Sequence, residues 1–217
     1  GASVFRTPFG KEVAVRILTG YITRVAAKYD KAVRPLLTYY VDHYVRGYYV
    51  VERGASKASR ALKELGALYY CGSCHNVEWV KEYPLASGVK ECSFCGGRAF
   101  ALGPLYLGTL HDAEFVSQVE ASLSEAAFIG SPERLSRLIA LLKHECGVAT
   151  PFYYRVDLLS SRAGVNMPSP ARLVETLRSE GYRASLTHFD PRGVKTEAPL
   201  QIVYELLKAL KSHHPRS

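Results

Sequence analysis

The sequence contains no apolar stretch long enough to cross a bilayer and no segment that resembles a secretory signal peptide. We therefore expect a soluble, cytoplasmic protein with no membrane partner. The chain has 217 residues, of which 47% are hydrophobic, and this is typical of a globular protein with one large or two or three small cores. Acidic residues are scarce relative to basic ones, 20 against 28, so the net charge is +8.

The excess of basic side chains is uneven along the chain. Residues 1–66 carry 12 basic and 5 acidic side chains, residues 67–100 carry 3 of each, residues 101–150 carry 3 and 6, and residues 151–217 carry 10 and 6. Two basic ends separated by an acidic stretch indicate a nucleic-acid surface built from the flanks. An ordinary basic surface without a polyanionic partner has the same net charge, so charge alone leaves both interpretations open.

Cysteine is also scarce, but four of the five cysteines form two pairs with the spacing C-x2-C-x17-C-x2-C. Two thiolates separated by two residues can bind one ion, and a second pair completes the tetrahedron that Zn²⁺ prefers. We predict a structural zinc site, closed to water, formed by Cys71, Cys74, Cys92 and Cys95. Four unrelated buried cysteines or two disulfides are the alternatives. Cys146 is left over, and we expect a half-buried thiol there.

The hydrophobic pattern predicts a mixed fold, α/β or α+β, in three parts. An amphipathic helix at 11–29 and two strands at 34–41 and 44–51 are too little to close a core, so residues 1–66 are predicted to be the tail of a larger α/β domain whose front is absent. Residues 67–102 are predicted to form a zinc ribbon. Residues 103–217 are predicted to form a helical C-terminal domain, with helices at 111–127 and 132–146.

The last part of the chain, residues 151–217, has the pattern of a winged helix. Helices are predicted at 153–163 and 170–180, followed by strands at 182–189 and 194–197 and a last helix at 199–210. Basic residues lie on the second helix and the hairpin, and we predict that they contact phosphates: Arg172, Arg178, Arg183, Arg192 and Lys195. Helix-turn-helix units also serve as packing or protein-docking modules, which is the alternative.

Five segments, in order along nearly the whole chain, resemble the family of tRNA (guanine-26-N2) dimethyltransferases. They are Glu12–Leu18, Asp42–Arg46, Gly103–Gly108, Pro151–Tyr154 and Ser185–Thr196. The four paired cysteines match a zinc site that some members carry between their two domains. The resemblance implies an S-adenosylmethionine-binding methyltransferase domain of doubly wound type, followed by a family-specific C-terminal domain, that together methylate N2 of a guanine in tRNA. It implies that residues 1–66 are the C-terminal piece of that Rossmann-like methyltransferase domain. It also implies that Thr187, His188, Lys195 and Thr196 lie near RNA or the domain interface, although hairpin hydrogen bonding is an alternative for them.

The chain departs from the family where the chemistry is expected. The family's glycine-rich loop, its acidic ribose-binding residue and its Asp-Pro-Phe-Gly motif are expected upstream of Lys11 and are missing. The segment Thr7-Pro8-Phe9-Gly10 resembles that motif but lacks the carboxylate that would accept hydrogen bonds from the guanine amine. We therefore predict no catalytic and no cofactor-binding residue in this chain, and we expect S-adenosylmethionine to bind only the full-length enzyme.

Three hypotheses for function follow. The first is the tRNA-binding C-terminal part of a tRNA guanine-N2 methyltransferase, inactive alone. The second is a stand-alone zinc-ribbon and winged-helix regulator that binds DNA and has no enzymatic activity. The third is a chain that pairs with a separately encoded methyltransferase half. The N-terminal helix and strands discriminate between the first two, because a stand-alone regulator needs a complete core there.

Overall fold

A computed structural model describes residues 5–82, 87–123 and 132–211 of the chain, so the predicted helical residues 124–127 lie outside it. Within these ranges the fold is mixed α/β, with seven helices and nine strands in three antiparallel sheets. In the same ranges, no helix has the length and apolarity needed to cross a bilayer.

The N-terminal part is a helix packed on a long hairpin. Helix α1 (Gly10–Ala27) precedes strands β1 (Lys31–Val41) and β2 (Tyr44–Arg53), which confirms the predicted helix and strand pair. Helix α2 (Ala55–Leu62) packs against β1 and α1. β1 is largely buried, whereas exposure alternates along β2. Among the described strands β2 pairs only with β1, so one edge of β2 carries unpaired backbone groups.

A four-stranded sheet of order β4-β3-β6-β5 follows. Its central strands are β3 (Leu65–Cys71) and β6 (Arg98–Tyr106), and its edges are β4 (Val77–Val80) and β5 (Val89–Glu91). Gly66 allows the close approach of β4 to β3, because a Cβ at this position would lie 2.0 Å from the carbonyl oxygen of Val80. β3 and β6 each cross a predicted boundary, after residue 66 and after residue 102.

Two helices cover the inner face of the N-terminal hairpin. They are α3 (Ala113–Leu123) and α4 (Pro132–Cys146), and they pack on each other and on Leu37 and Tyr39 of β1. The apolar side of α4 therefore lies against buried side chains of the N-terminal hairpin.

The C-terminal part has the predicted order of two helices, a hairpin and a last helix. It comprises β7 (Tyr154–Arg155), α5 (Val156–Ala163), α6 (Pro170–Ser179), β8 (Ala184–Leu186), β9 (Gly193–Thr196) and α7 (Leu200–Lys211). Ser169 caps α6 by accepting a hydrogen bond from the Arg172 backbone at 3.2 Å. The start differs from the prediction: Tyr154 and Arg155 pair with β9, so α5 begins at Val156.

The largest buried core joins all three predicted parts. Phe9 of the first part packs with Leu68 and Leu102 of the middle sheet and with Phe152 and Phe189 of the last part. A second core lies among α5, α6 and α7. The boundaries at residues 66 and 102 therefore do not separate independent cores.

Candidate metal centre and ionic junction

Two turns with the same backbone hydrogen bond carry the paired cysteines. The carbonyl of Cys71 accepts from the His75 N–H at 2.9 Å, and that of Cys92 accepts from the Gly96 N–H at 2.9 Å. His75 and Gly96 occupy equivalent positions with left-handed φ angles of 59° and 71°. The Nδ1 atom of His75 lies 2.7 Å from the hydroxyl of Tyr70. His75 therefore has a conformational role in the turn and a hydrogen-bond partner outside the cysteine cluster.

The four sulfur atoms form one compact cluster. All lie within 4.8 Å of one another, and the Cys71–Cys95 and Cys74–Cys92 sulfur atoms are 3.6 Å apart. A tetrahedral zinc site with Zn–S bonds of about 2.3 Å requires sulfur separations of about 3.8 Å. A disulfide requires about 2.0 Å. The donor set and its spacing therefore fit Zn²⁺ and do not fit two disulfides.

The two inner cysteines differ in how easily they ionise. Burial opposes ionisation of Cys92, but the backbone N–H groups of Cys95 and Phe94 outweigh it and lower the pKa of Cys92 to about 7. Burial raises the pKa of Cys74 far above its ordinary value. A divalent cation among the sulfur atoms would lower the pKa of both thiols, because it stabilises every thiolate at once.

A second cluster of charged side chains is buried where α1, α4 and β9 meet, and we call it the ionic junction (Glu12, Arg16, Glu145, His188 and Lys195). The Lys195 Nζ atom lies 3.0 Å from Glu12 Oε1 and 3.4 Å from Glu145 Oε2. These three side chains are at most 5% exposed. Glu12 also accepts a hydrogen bond of 2.9 Å from Arg16. Opposite charges therefore compensate one another inside the protein.

Backbone groups complete the ionic junction. The backbone N–H of His188 donates to Glu145 Oε1 at 2.7 Å, and the His188 Nδ1 atom lies 2.6 Å from the same oxygen. The Phe152 N–H donates to Glu12 at 2.9 Å. Arg16 donates to the Tyr106 carbonyl at 2.8 Å. The junction thus ties helix α1 to the strands and loops of the C-terminal part.

The protonation states follow from burial and neighbouring charge. Burial opposes the negative charge of Glu12, but Lys195 and Arg16 outweigh it and hold its pKa below the ordinary value. Burial is likewise outweighed at Glu145, where His188 and Lys195 hold the pKa far below the ordinary value. Both carboxylates are therefore charged at neutral pH. Burial lowers the pKa of the neighbouring His111 to about 3, so this ring is neutral.

A basic groove of about 380 Å³ lies between the end of α4 and the segment around β8. It contains two of the arginines predicted to contact RNA, Arg178 and Arg183, together with Lys143 and His144, which the sequence did not single out. All four side chains are exposed. Arg183 is also paired with Glu197 at 2.8 Å, and it stays exposed in this ion pair. Lys143 is likewise paired with Glu120 at 2.5 Å, so the groove holds exposed basic side chains of which two have acidic partners.

The other predicted RNA-contacting residues lie outside this groove. Arg192 pairs with Asp157 at 3.2 Å, and Arg172 is half-buried in the first turn of α6. Four of the predicted side chains make internal contacts instead: Thr187, His188, Lys195 and Thr196. The polar atoms of these four side chains are enclosed by the fold and do not offer a surface to RNA.

Comparison with known proteins connects this architecture to one family. Residues 1–208 match the family described as N2,N2-dimethylguanosine tRNA methyltransferase. This chain belongs to that family. The tRNA (guanine(26)-N(2))-dimethyltransferase of Aeropyrum pernix is 40% identical over 213 residues, which cover 97% of this chain and 51% of the relative. The protein of the same description from Pyrococcus abyssi is 34% identical over 200 residues, 92% of this chain and 49% of the relative.

A solved structure of a family member has the same fold over most of this chain. It is the complex of Trm1 from Pyrococcus horikoshii with S-adenosyl-L-methionine, with a TM-score of 0.83 and 29% identity. The similarity covers 94% of this chain and 51% of that structure. The chain therefore spans about half the length of the family members that it matches.

The ionic junction brings together segments of the chain that resemble the family. Four of the five segments contribute to it: Glu12–Leu18, Gly103–Gly108, Pro151–Tyr154 and Ser185–Thr196. The remaining segment, Asp42–Arg46, follows Tyr40, whose backbone N–H lies 3.4 Å from His188 Nε2. Residues that are distant in the sequence of this chain thus meet at the buried ionic junction.

Proposed function

We propose that this chain is the tRNA-binding part of an S-adenosylmethionine-dependent tRNA guanine-N2 methyltransferase. The observation that carries the proposal is the family match over residues 1–208, to relatives of about twice this length. Because the chain spans about half of those relatives, methyl transfer is proposed for the enzyme that contains this chain. The role that we propose for the chain itself is to hold the tRNA while a base leaves its stack.

The C-terminal unit, residues 151–217, is proposed to act as a winged-helix-like grip on RNA. Its support is the basic groove, in which Arg178 and Arg183 of this unit are joined by Lys143 and His144 of α4. Exposed cations on one concave surface bind phosphates by releasing counterions. The buried residues of the hairpin hold the unit against α1 through Lys195 and Glu12. The grip is therefore rigidly placed relative to the N-terminal part.

The cysteine cluster is proposed to hold a structural zinc ion and to close the middle sheet as a zinc ribbon. A zinc ion bound by four thiolates supplies cross-linking of the two turns and no water for chemistry. The first turn also contacts the C-terminal unit: the Tyr204 hydroxyl donates to the Cys74 carbonyl at 3.0 Å, and Arg162 donates to the Ser73 carbonyl at 3.1 Å. The ion would thus also fix the position of the C-terminal unit.

Residues 1–66 are proposed to belong to the methyltransferase domain, of which a further half is supplied in the same polypeptide or by a separate chain. The support is the edge of β2 that pairs with no other described strand, together with the exposed Tyr48 and Val51 on β2. Exposed β edges with apolar side chains are places where another strand adds. Titration calorimetry of the 217-residue chain with S-adenosylmethionine is expected to show no binding. Binding by this chain alone would contradict the proposal.

The RNA grip is tested by measuring the affinity for a tRNA transcript across a salt series. The double variant Arg178→Gln/Arg183→Gln is expected to bind more weakly at low salt and to reduce the salt slope by about 2, because each lost phosphate contact removes about 1. Filter binding or fluorescence anisotropy at several salt concentrations gives both values.

The matched control for the grip is Arg98→Gln, an exposed arginine on β6 outside the basic groove. It is expected to leave the salt slope unchanged. An unchanged slope in the double variant would show that RNA binds elsewhere. Tighter binding of duplex DNA than of a tRNA transcript of equal length would instead favour a DNA-binding regulator.

A further inference from the structure

A pocket of about 490 Å³ lies between the turn that joins β1 to β2 and the first turns of α4. We call it the tyrosine pocket, and its lining includes Lys11, Tyr40, Tyr44, Leu135, Arg137 and Leu138. Its volume is in the range of pockets that enclose small ligands, about 300–1,000 Å³. It shares no residue with the basic groove. The pocket is therefore a separate site on the molecule.

The lining of the tyrosine pocket combines aromatic and aliphatic surface. Tyr44 is 46% exposed and Tyr40 is half-buried. Leu135 and Leu138, one turn apart on α4, are also half-buried. Such surface is suited to a flat, apolar ring face, because an aromatic wall stacks on a ring and an aliphatic wall excludes water from it.

Cations surround this apolar surface. Lys11, Arg134 and Arg137 line the pocket, against one acidic side chain, Asp42, which lies 2.5 Å from Arg134. The Lys11 Nζ atom lies 5.5 Å from the ring centroid of Tyr40. The surplus of positive charge favours a ligand that joins a flat ring to an anion. It disfavours S-adenosylmethionine, which carries a sulfonium and an ammonium group.

We propose that the tyrosine pocket binds one unstacked nucleotide of the RNA held by the chain. Its base stacks on Tyr44, and its phosphate lies against Lys11 and Arg137. Unpaired bases in RNA are recognised by stacking on aromatic side chains, with cations on the adjoining phosphates. This inference rests on the proposed tRNA binding. It adds a second contact, because helix α4 lines both the tyrosine pocket and the basic groove.

The decisive experiment compares three tyrosine variants of the 217-residue chain. Tyr44→Ala is expected to weaken binding of a tRNA transcript by about 5- to 150-fold, because one stacked base is lost. Tyr44→Phe keeps the ring and is expected to bind like the wild type. Tyr29→Ala removes a tyrosine that is 70% exposed and outside the pocket, and it is expected to leave the affinity unchanged.

Two further measurements identify the ligand. An oligoribonucleotide with a single 2-aminopurine is expected to lose fluorescence on stacking with the wild type and with Tyr44→Phe, but not with Tyr44→Ala. Arg137→Gln is expected to weaken binding of the transcript without abolishing this quenching, because it removes only a phosphate contact. Thermal denaturation of each variant separates a loss of stacking from a loss of folding.

The outcomes separate this inference from the proposed function. If the wild type binds tRNA and Tyr44→Ala binds as tightly as Tyr29→Ala, the pocket assignment is wrong and the RNA grip stands. If the wild type does not bind tRNA, both are wrong. Competition by free guanosine monophosphate at the concentration at which the transcript binds would assign the pocket to a small molecule. Loss of a co-purifying methyltransferase half in Tyr44→Ala, with unchanged tRNA affinity, would make it a protein interface.

Discussion

Replacing Cys92 with serine is expected to release one equivalent of zinc per chain and to cause a large loss of stability. Structural zinc contributes about 10–16 kcal/mol of apparent binding free energy in zinc-finger peptides, and this is coupled to folding. Since 1 kcal/mol shifts the melting temperature by roughly 2–4 °C at this chain length, we expect a decrease of at least about 10 °C. Plasma mass spectrometry and calorimetry give the two values.

The matched control is Cys146→Ser, which removes the one cysteine outside the cluster. It is expected to retain zinc and to melt near the wild type. Chelation should lower the melting temperature of the wild type and of Cys146→Ser, and leave that of Cys92→Ser unchanged. Full zinc content in Cys92→Ser, or its absence from the purified wild type, would contradict the zinc assignment.

Replacing Lys195 with methionine is expected to cost about 3–5 kcal/mol of unfolding free energy, because it leaves two buried carboxylates without their shared cation. Lys195 is 4% exposed and contacts both Glu12 and Glu145. Methionine keeps an unbranched side chain that is only one atom shorter than that of lysine, so the cost reports mainly the lost charge rather than a cavity. Urea denaturation at pH 7 measures it.

The pH dependence of the unfolding free energy tests whether Lys195 acts through the two carboxylates. A carboxylate whose folded pKa is held low stabilises the protein above its unfolded pKa, about 4.3 for glutamate, and loses that contribution as the pH falls. Without Lys195 the two carboxyl groups take up protons at higher pH. The difference between Lys195→Met and the wild type should therefore shrink as the pH is lowered towards 4.

The control for Lys195 is Lys143→Met, which removes a lysine paired with Glu120 at the surface, where both side chains are at least 41% exposed. Exposed ion pairs contribute about 0–1 kcal/mol, so its unfolding free energy should change little. Equal losses of unfolding free energy in the two variants would show that the buried ionic junction stabilises the protein no more than a surface ion pair.

Local patterns in the sequence predicted most helices and strands and the cysteine cluster. The apolar period of α1, the β-branched run of β1 and the paired cysteines each depend on neighbours within one element or one turn. Such features depend little on the rest of the fold. This explains why the order of elements in the C-terminal part was also predicted, apart from the two residues of β7.

Contacts between distant residues could not be predicted in the same way. Lys195 was grouped with the RNA-contacting residues because it is basic and lies on a hairpin, yet it is buried against Glu12, 183 positions away. The role of Glu145 was not predicted, since it depends on how α4 meets β9. The basic groove was half predicted: Arg178 and Arg183 were named, but Lys143 and His144 reach them only through the packing of α4.

The pairing of Glu12 with Lys195 also has a consequence for synthesis on the ribosome. At about 5–20 residues per second, some ten to forty seconds pass between translation of the two partners. During that interval Glu12 lacks its lysine, and Phe9 lacks Phe152 and Phe189. Helix α1 can pack on β1, α2 and β6 earlier, but the contacts of Glu12 and Phe9 with the C-terminal part form only after residue 195 has been made. The buried charge of Glu12 is therefore compensated by Lys195 only after residue 195 emerges from the ribosome.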